Sequence, residues 1–326
     1  MSDIKNALNR IHDWFQKNYP AKIASLASGL SPLEIDTLLS RLSFKVSKEV
    51  SEIYQWSNGY PIDEYADDWI FDYMFLLNVE SAVKEARTWV EEHEEIARMY
   101  KYAGQPVLPA FMSDIEFLAV VATDDKQTTS PVVHISEIVE ISLRYTNLTA
   151  MMLTLGESYE TGGLFIGRKG YIEKDEKKYA AAYRKHNSGI TELALERFLK
   201  ISTEKPSGET LGILHNDLYM INNYGMEIPS SSLKTKVVNI LLNLLQDEKY
   251  CYGFSVVLVL EEMRAVDALI QGLKHPEQSV RSRAAFTLAK IKAFEAVEFV
   301  SQLLEDPEPV VQEAVQEALD MFKNHR

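Results

Sequence analysis

A 31-residue repeat near the C-terminus limits the possible folds of this chain more than any other feature. Residues 265–291 align with residues 296–322, and the paired positions are apolar residues at helical spacing or the prolines Pro276 and Pro307. Because proline lacks an N–H group and fixes its backbone angle, each proline breaks a helix. A repeated helix–turn–helix unit cannot bury its apolar face alone, so the units must stack. The matched pairs are Ala265/Ala296, Val266/Val297, Leu269/Val300, Leu273/Leu304, Pro276/Pro307, Val280/Val311, Leu288/Leu319 and Ile291/Phe322.

The repeated unit resembles a known class of helical repeat. Val280–Leu288, with the pattern Val-Arg-x-x-Ala-x-x-x-Leu, resembles the second helix of a HEAT-like repeat. Residues 237–245 and 250–260 indicate an earlier, degenerate unit with a first and a second helix. We therefore expect an all-α array of HEAT-like repeats over residues 233–326. Residues 201–232, which contain several Pro, Gly, Ser and Asn residues, are predicted to be a connector.

Two short, capped helices are predicted between residues 31 and 59. Ser31 as N-cap, Pro32 at the first helical position and Glu34 form the pattern of a capping box. Ser47 is predicted to cap the second helix. The side chains expected to face the core are Ile35, Leu38, Leu39 and Leu42 in the first helix, and Val50, Ile53 and Tyr54 in the second.

The order of elements before residue 200 predicts an α+β domain with a mainly antiparallel sheet. A helix with Ile4, Leu8, Ile11 and Phe15 on its apolar face comes first. The short connections between later strands favour antiparallel pairing. The predicted elements that follow are a buried strand over residues 69–77, a helix from Asn78 to about Tyr100, strands over residues 107–111, 115–122 and 131–135, a helix after Asn147, and helices over residues 174–186 and 189–200.

Three motifs in the same N-terminal region resemble the SUKH superfamily. They are Ile11-His12-Asp13-Trp14, the stretch 26–35 (LASGLSPLEI) and Trp56-Ser57-Asn58-Gly59, and they occur in the order and spacing of that family. The resemblance covers about residues 1–200 and implies helices packed on a sheet. The loop at residues 123–131 departs from the family pattern because it has no glycine. SUKH proteins include immunity proteins that neutralise bacterial toxins by direct binding, and regulators of fungal cell-wall synthesis.

The net charge of −14 is unevenly distributed along the chain. Residues 46–95 contain thirteen acidic and three basic residues, whereas residues 164–186 carry a net charge of +4. A dominant negative field repels the phosphate backbone, which argues against nucleic-acid binding. The field favours encounter with a basic protein partner, such as a toxin or nuclease domain. The alternative explanation is that these charges only solvate an exposed surface.

A partner-binding surface is predicted in the acidic loop after Gly59 and in the aromatic segment that follows it. Acidic side chains would contact the basic partner, and aromatic side chains would provide buried anchors. For Trp69 and Tyr73 the alternative is packing within the core. The predicted partner-binding residues are Asp63, Glu64, Asp67, Asp68, Trp69 and Tyr73.

The sequence contains no recognisable catalytic, metal or cofactor motif. The seven histidines are scattered, and the single cysteine, Cys251, is predicted to be a buried structural thiol because aromatic residues surround it. No apolar run is long enough to span a bilayer.

We expect a cytoplasmic, non-enzymatic protein without cofactor or metal. The function expected first is toxin neutralisation. The alternatives are a HEAT-like adaptor in a multi-protein assembly and an enzyme or enzyme assembly factor, since some short HEAT-like proteins resemble phycobilisome lyases.

Overall fold

The computed structural model of the chain describes residues 2–60, 70–91, 97, 99–123, 129–202, 206–247 and 251–325. It contains two compact units. The first comprises Met1–Ile190 and Asn223–Met226, and the second comprises Thr191–Asn222 and Glu227–Arg326. The predicted fold class is confirmed, because N-terminal helices and an antiparallel five-stranded sheet precede an all-helical region. The predicted domain boundaries at residues 200 and 232 stay predictions.

The first unit is built from helices that precede, interrupt and follow one sheet. The helices are α1 (Asp3–Asn18), α2 (Ala21–Ala24), α3 (Pro32–Leu39), α4 (Lys48–Trp56), α5 (Val79–Glu91), α6 (Leu148–Thr161) and α7 (Glu176–His186). The strands are β1 (Phe75–Leu76), β2 (Val107–Met112), β3 (Phe117–Val121), β4 (Val132–Ile135), β5 (Ile141–Tyr145), β6 (Leu164–Ile166) and β7 (Ile172–Lys174).

Strands β1 to β5 form one antiparallel sheet in chain order, and β6 pairs with β7 in a separate hairpin. The register places Ala119 opposite Val133, and Val133 opposite Leu143. The predicted strands around residues 107–111, 115–122 and 131–135 are confirmed. Sequence reasoning missed β5 and the hairpin, since β5 contains Ser142 and Arg144 and the hairpin strands are three residues long.

Helices α1 and α6 pack together, and α6 also packs against α7. The predicted apolar face of α1, which contains Ile4, Leu8, Ile11 and Phe15, is buried. Trp14 and Tyr159 lie with ring centroids 4.8 Å apart across this contact. Asn147 caps α6 by accepting a hydrogen bond from the Ala150 backbone N–H, so the predicted start of this helix is also confirmed.

Helix α3 begins as predicted but does not bury its predicted face. The capping box between Ser31 and Glu34 is present in full. Of the expected face only Ile35 is buried, whereas Leu38, Leu39 and Leu42 stay partly exposed. Together with Leu33, which is 77% exposed, Leu38 lines a cleft of about 960 Å³ between α3 and α5. The prediction was wrong for three of the four residues. The helix already ends at Leu39, so Leu42 lies beyond it, and Leu38 and Leu39 are only partly covered by neighbouring elements.

The predicted nine-residue strand over residues 69–77 was also wrong. Only Phe75 and Leu76 form a strand in the described part of this segment. The preceding residues Asp72 and Tyr73 have φ angles of 54° and 65°, which are incompatible with a strand. The aromatic composition indicated burial correctly, but it carried no information about this turn.

The second unit is helical throughout the residues that the structure describes. Its helices are α8 (Ile190–Ile201), α9 (Gly208–Asn223), α10 (Ser232–Gln246), α11 (Gly253–Glu262), α12 (Val266–Gly272), α13 (Gln278–Lys290), α14 (Val297–Ser301) and α15 (Pro309–Asn324). Helix α9 lies within the predicted connector and buries Leu211, Leu214 and Leu218, so this part of the connector is structured. Cys251 is exposed, and the prediction of a buried thiol was therefore wrong.

The last repeat leaves exposed several positions that the preceding repeat buries. Ala285 and Ala289 of α13 are buried, whereas Gln316 and Asp320, which stand 31 residues later on α15, are exposed. Polar residues at such positions are typical of the capping repeat of a helical array. No helix in the described residues is both long and apolar enough to cross a membrane.

Candidate functional site

Most of the predicted partner-binding surface lies outside the described residues. These residues are Asp63, Glu64, Asp67, Asp68 and Trp69. Tyr73 is described and is half-buried in the first unit. The prediction for the acidic loop therefore stays a prediction, and Tyr73 is the starting point for describing the neighbouring structure.

Tyr73 belongs to a tight turn that closes a very short hairpin. The backbone groups of Phe71 and Met74 exchange two hydrogen bonds of 3.0 Å, so Asp72 and Tyr73 are the two central residues of the turn. A turn with positive φ at both central residues strongly favours sequences such as Asn-Gly. Left-handed backbone costs ordinary residues roughly 1–2 kcal/mol each, so other contacts must hold Asp72 and Tyr73 in place.

A buried ion cluster around Asp72 provides these contacts. Its Oδ2 atom accepts hydrogen bonds from Arg144 Nη2 at 2.8 Å and from the Tyr145 hydroxyl at 2.7 Å. Its Oδ1 atom accepts a hydrogen bond from Lys174 Nζ at 3.2 Å. The cluster joins the turn to strands β5 and β7 because Arg144 and Lys174 belong to those strands.

Aromatic rings surround the two cations of this cluster. Lys174 Nζ lies 4.1 Å from the ring centroid of Tyr179 and 5.1 Å from that of Tyr73. The Arg144 guanidinium lies 4.8 Å from the ring centroid of Tyr224. Cation–π contacts of this kind add stabilisation where water is excluded. Tyr73, the one predicted site residue that the structure describes, therefore contacts the cluster through Lys174.

The protonation states of the cluster follow from burial and charge. Burial opposes the charge of Asp72, but the nearby Arg144 and Lys174 outweigh it, so the pKa of Asp72 lies far below its ordinary value. Burial, and next the charge of Asp72, raise the pKa of Tyr145 and Tyr179 well above that of a free phenol. At neutral pH Asp72 is therefore ionised and both phenols are protonated. This arrangement offers a structural anchor rather than a general base or a nucleophile.

Sequence reasoning missed the role of Asp72, which it counted only among the acidic residues of the segment 46–95. The signal that could have identified it is a single aspartate inside an otherwise apolar and aromatic run, WIFDYMFLL. A charged residue in such a run is buried and must be paired. Its partners Arg144 and Lys174 could not be named, since they lie 72 and 102 residues further along the chain.

A second group of side chains lies in the helical unit, where α11 packs against α13. Phe254 of α11 and Phe286 of α13 flank Arg283, whose guanidinium lies 5.6 Å and 5.8 Å from their ring centroids. Glu261 of α11 is buried and accepts hydrogen bonds from Arg283 Nη2 at 2.8 Å and from Lys290. The carboxylate thereby holds Arg283 in position between the two rings.

The equivalent positions of the next repeat lie on α15. Phe254 is 43% exposed, and Val310, at the start of α15, is 50% exposed. Glu317 of α15 stands 31 residues after Phe286 and is also exposed. We call this surface the repeat face and define it by Phe254, Arg283, Phe286, Val310 and Glu317.

Polar contacts at the inter-helix turns fix the spacing of the repeats. Arg281 donates two hydrogen bonds, of 2.8 Å and 2.9 Å, to the carboxylate of Asp306 in the next repeat. Arg281 also donates to the backbone carbonyls of His275 and Pro276. A bidentate arginine–carboxylate pair orients as well as attracts, so the two repeats are held at a defined angle and the repeat face is held in shape.

Residues 266–326 match the family model of HEAT repeats. The match covers both clear units of the 31-residue repeat, so the prediction of HEAT-like repeats is confirmed for this segment. Arrays of stacked helical repeats present extended binding surfaces, which indicates protein partners.

No protein with a curated description matches the chain. The SUKH resemblance of the first 200 residues rests on the sequence motifs alone. Within the described residues, no group of three or more His, Cys, Asp or Glu side chains is arranged to hold a metal ion.

Proposed function

We propose that this protein is a non-enzymatic adaptor that binds a partner protein through the repeat face of its HEAT-repeat unit. The observation that carries the proposal is Phe254, a large apolar side chain that is 43% exposed beside Arg283. Aromatic residues and arginine are enriched among the residues that dominate binding energy at protein interfaces. The position of Arg283 is fixed by Glu261 before any partner binds, which lowers the entropic cost of association.

The chain offers a matched control for testing this proposal. Phe299 on α14 is 42% exposed, almost the same as Phe254, but belongs to the other helix of its repeat. Serine at either position removes a similar exposed apolar area. The full chain and the variants Phe254→Ser and Phe299→Ser are used as bait in the source cells, and captured proteins are quantified by mass spectrometry.

The proposal expects a partner that is retained by the wild type and by Phe299→Ser but lost by Phe254→Ser. Circular dichroism of the purified variants checks that both remain folded. Equal retention of every captured protein by Phe254→Ser and Phe299→Ser contradicts the assignment of the repeat face. If a partner is lost only by Phe299→Ser, binding is assigned instead to the helices of the array that include α14.

A second candidate function is toxin neutralisation in the cytoplasm through the acidic segment 46–95. It is supported by the SUKH resemblance, by the net charge of −10 in that segment and by the single cysteine of the chain, which suits a reducing compartment. Among the acidic residues of this segment that the structure describes, Glu49 and Asp72 are buried and cannot contribute to a binding surface. Within this segment, the sequence-predicted residues Asp63, Glu64, Asp67 and Asp68 are those proposed to bind a basic toxin or nuclease domain.

If the protein neutralises a toxin through its acidic residues, capture of the toxin should depend on charge. Replacing Asp63, Glu64, Asp67 and Asp68 together by their amides should abolish capture of a basic partner, and high salt should weaken capture by the wild type. The variant Phe254→Ser should leave this capture unchanged. A partner that is lost by Phe254→Ser but is insensitive to salt and to the amide substitutions excludes the electrostatic mechanism.

A further inference from the structure

The hairpin of β6 and β7 carries exposed aromatic side chains on one of its two faces. Successive side chains of a strand point to opposite faces, so the buried Leu164 and Ile172 lie opposite Phe165 and Tyr171. Phe165 is 37% exposed and Tyr171 is 54% exposed. Strand β6 contacts α6. One face of the hairpin is therefore buried in the first unit, and the other presents two rings to solvent.

The turn of this hairpin adds two exposed cations. The Gly167 N–H donates to the Tyr171 carbonyl at 2.8 Å, and the Gly170 N–H donates to the Gly167 carbonyl at 3.0 Å. Gly170 has a φ angle of 81°, which glycine adopts without strain. Arg168 and Lys169 are therefore the central residues of the turn, and both are exposed. Neither has an ion-pair partner among the described residues.

The segment between α1 and α2 lies beside this turn. A Cβ atom at Gly170 would lie 3.5 Å from the Tyr19 hydroxyl oxygen, and Tyr19 is itself exposed. Lys22 Nζ lies 5.7 Å from the ring centroid of Tyr19, and Lys17, in the last turn of α1, is exposed. We call this surface the hairpin patch and define it by Tyr19, Phe165, Arg168, Lys169 and Tyr171.

The charge of the hairpin patch is opposite to that of the whole chain. Residues 17–22 and 164–174 contain five basic residues and one acidic residue. Two of the basic residues add little to the surface charge, because Lys174 belongs to the buried ion cluster and Lys22 is buried. The three that remain are accompanied by one carboxylate, Glu173, which leaves an exposed net charge of +2 in a chain of net charge −14. Charge complementarity therefore favours an anionic partner at this patch.

The small extent of the hairpin patch favours an acidic protein segment over a larger polyanion. A nucleic acid or an anionic membrane carries negative charge over a much longer distance, so the acidic remainder of the chain would repel it. A short acidic segment places its charge on the patch alone. Exposed aromatic residues and arginine are also enriched at protein interfaces, where the rings supply apolar contact area.

We propose that the hairpin patch binds an acidic segment of a partner protein. Carboxylates of the segment contact Arg168 and Lys169, and its apolar side chains pack on Phe165 and Tyr171. The patch belongs to the first unit and the repeat face belongs to the second. The two surfaces are therefore tested independently, and failure of one leaves the other in place.

The first test compares two labelled peptides on the full chain by fluorescence anisotropy. The acidic probe is a short fluorescein-labelled peptide of glutamate and leucine, and its control has glutamine in place of every glutamate. We expect saturable binding of the acidic probe with a Kd on the order of 10–100 μM, and at least about tenfold weaker binding of the control. Equal binding of both peptides, or no binding of the acidic probe at millimolar concentration, overturns the proposal.

Competition distinguishes the acidic segment from other anions. Oligothymidylate and vesicles that contain phosphatidylserine are added to the complex with the labelled acidic peptide. At equal concentration of negative charge, each should displace less of the labelled peptide than the unlabelled acidic peptide does. Equal or greater displacement by either competitor overturns the assignment of the patch to a protein segment.

A pair of double variants locates the charge contacts. Arg168→Gln combined with Lys169→Gln removes both cations of the turn, whereas Lys236→Gln combined with Lys274→Gln removes two exposed lysines of the helical unit. The first should bind the acidic peptide about tenfold more weakly, and the second should bind it like the wild type. Equal effects of the two double variants contradict the proposal.

A second pair of variants tests the contribution of the rings. Tyr171→Ser removes an aromatic side chain from the hairpin patch, and Tyr219→Ser removes one that is 51% exposed on α9. We expect at least about threefold weaker binding of the acidic peptide by Tyr171→Ser and unchanged binding by Tyr219→Ser. All four positions changed on the patch and its controls are exposed, so tryptophan fluorescence should show each variant folded. Binding that is unchanged in Tyr171→Ser overturns the apolar part of the contact, and with it the proposed surface.

Discussion

Substitution of Asp72 by asparagine leaves Arg144 and Lys174 without the carboxylate that compensates their charge. Both cations have side chains that are 11% exposed, so water cannot replace the lost partner. Removing one partner of a buried ion pair costs about 3–5 kcal/mol. Asparagine retains an acceptor for Tyr145 and tolerates a positive φ, so the shape of the turn is preserved. We expect the first unit to lose about 3–5 kcal/mol of unfolding free energy.

Substitution of Asp72 by glycine distinguishes the effect of the charge on stability from the effect of the strained backbone. Asp72→Gly removes the same charge but relieves a left-handed conformation that costs roughly 1–2 kcal/mol. The expected loss is therefore smaller, about 1–4 kcal/mol. The control is Asp13→Asn, because the Asp13 carboxylate is exposed and its substitution should change stability by less than about 0.5 kcal/mol.

The positions of the tryptophans make the measurement selective for the first unit. All four, Trp14, Trp56, Trp69 and Trp89, precede residue 190. Urea unfolding followed by tryptophan fluorescence therefore reports on this unit. If Asp72→Asn is as stable as Asp13→Asn, the ion cluster does not hold the turn, and the reasoning from buried charge is refuted.

The same cluster predicts a dependence of stability on pH. The pKa of Asp72 is lower in the folded than in the unfolded chain, so its stabilisation is fully present above the ordinary aspartate pKa of about 4 and is lost as the pH falls below that value. Acid unfolding of the wild type should therefore be steeper with pH than that of Asp72→Asn. Parallel acid transitions of the two proteins would contradict the lowered pKa.

Three further predictions concern other elements. Ile35→Ala should destabilise the first unit by about 2–5 kcal/mol, whereas Leu33→Ala should change it by less than about 0.5 kcal/mol, as measured by the same urea titration. Arg281→Lys, which cannot form the bidentate pair with Asp306, should lower the stability of the helical unit by about 1–3 kcal/mol in thermal unfolding followed by circular dichroism. Cys251 should react with a thiol reagent in the native protein as completely as in urea, because it is exposed.

Local patterns predicted helix starts and repeat units well, but the prediction that the Ser47 side chain caps α4 was wrong, because Ser47 occupies the N-cap position without a side-chain capping hydrogen bond. The capping box of Ser31 and the N-cap of Asn147 depend on residues three positions apart, so the sequence contains all the information. The 31-residue repeat is likewise visible in the sequence alone, because it is found by comparing each residue with the residue 31 positions later. By contrast, the apolar face of α3 was assigned from periodicity, which indicates that leucines share a face but not that another element covers it.

The candidate sites depended on contacts between distant residues. Asp72 is neutralised by Arg144 and Lys174, which lie 72 and 102 residues further along the chain, so this cluster could not be assembled from local motifs. The repeat face was predictable as a helical layer, but its Phe254–Arg283 contact was not.

The amino-acid sequence by itself determined the α+β start, the helix starts at Ser31 and Asn147 and the stacked repeats of this protein, because these follow from hydrogen bonding and apolar periodicity within a few residues. Tertiary structure alone decided which charges are buried and paired and which apolar faces stay exposed. The physical reason is that the burial of a side chain and the pairing of its charge depend on which elements pack around it, and hence on the space between those elements. That space is set by the packing of the whole unit.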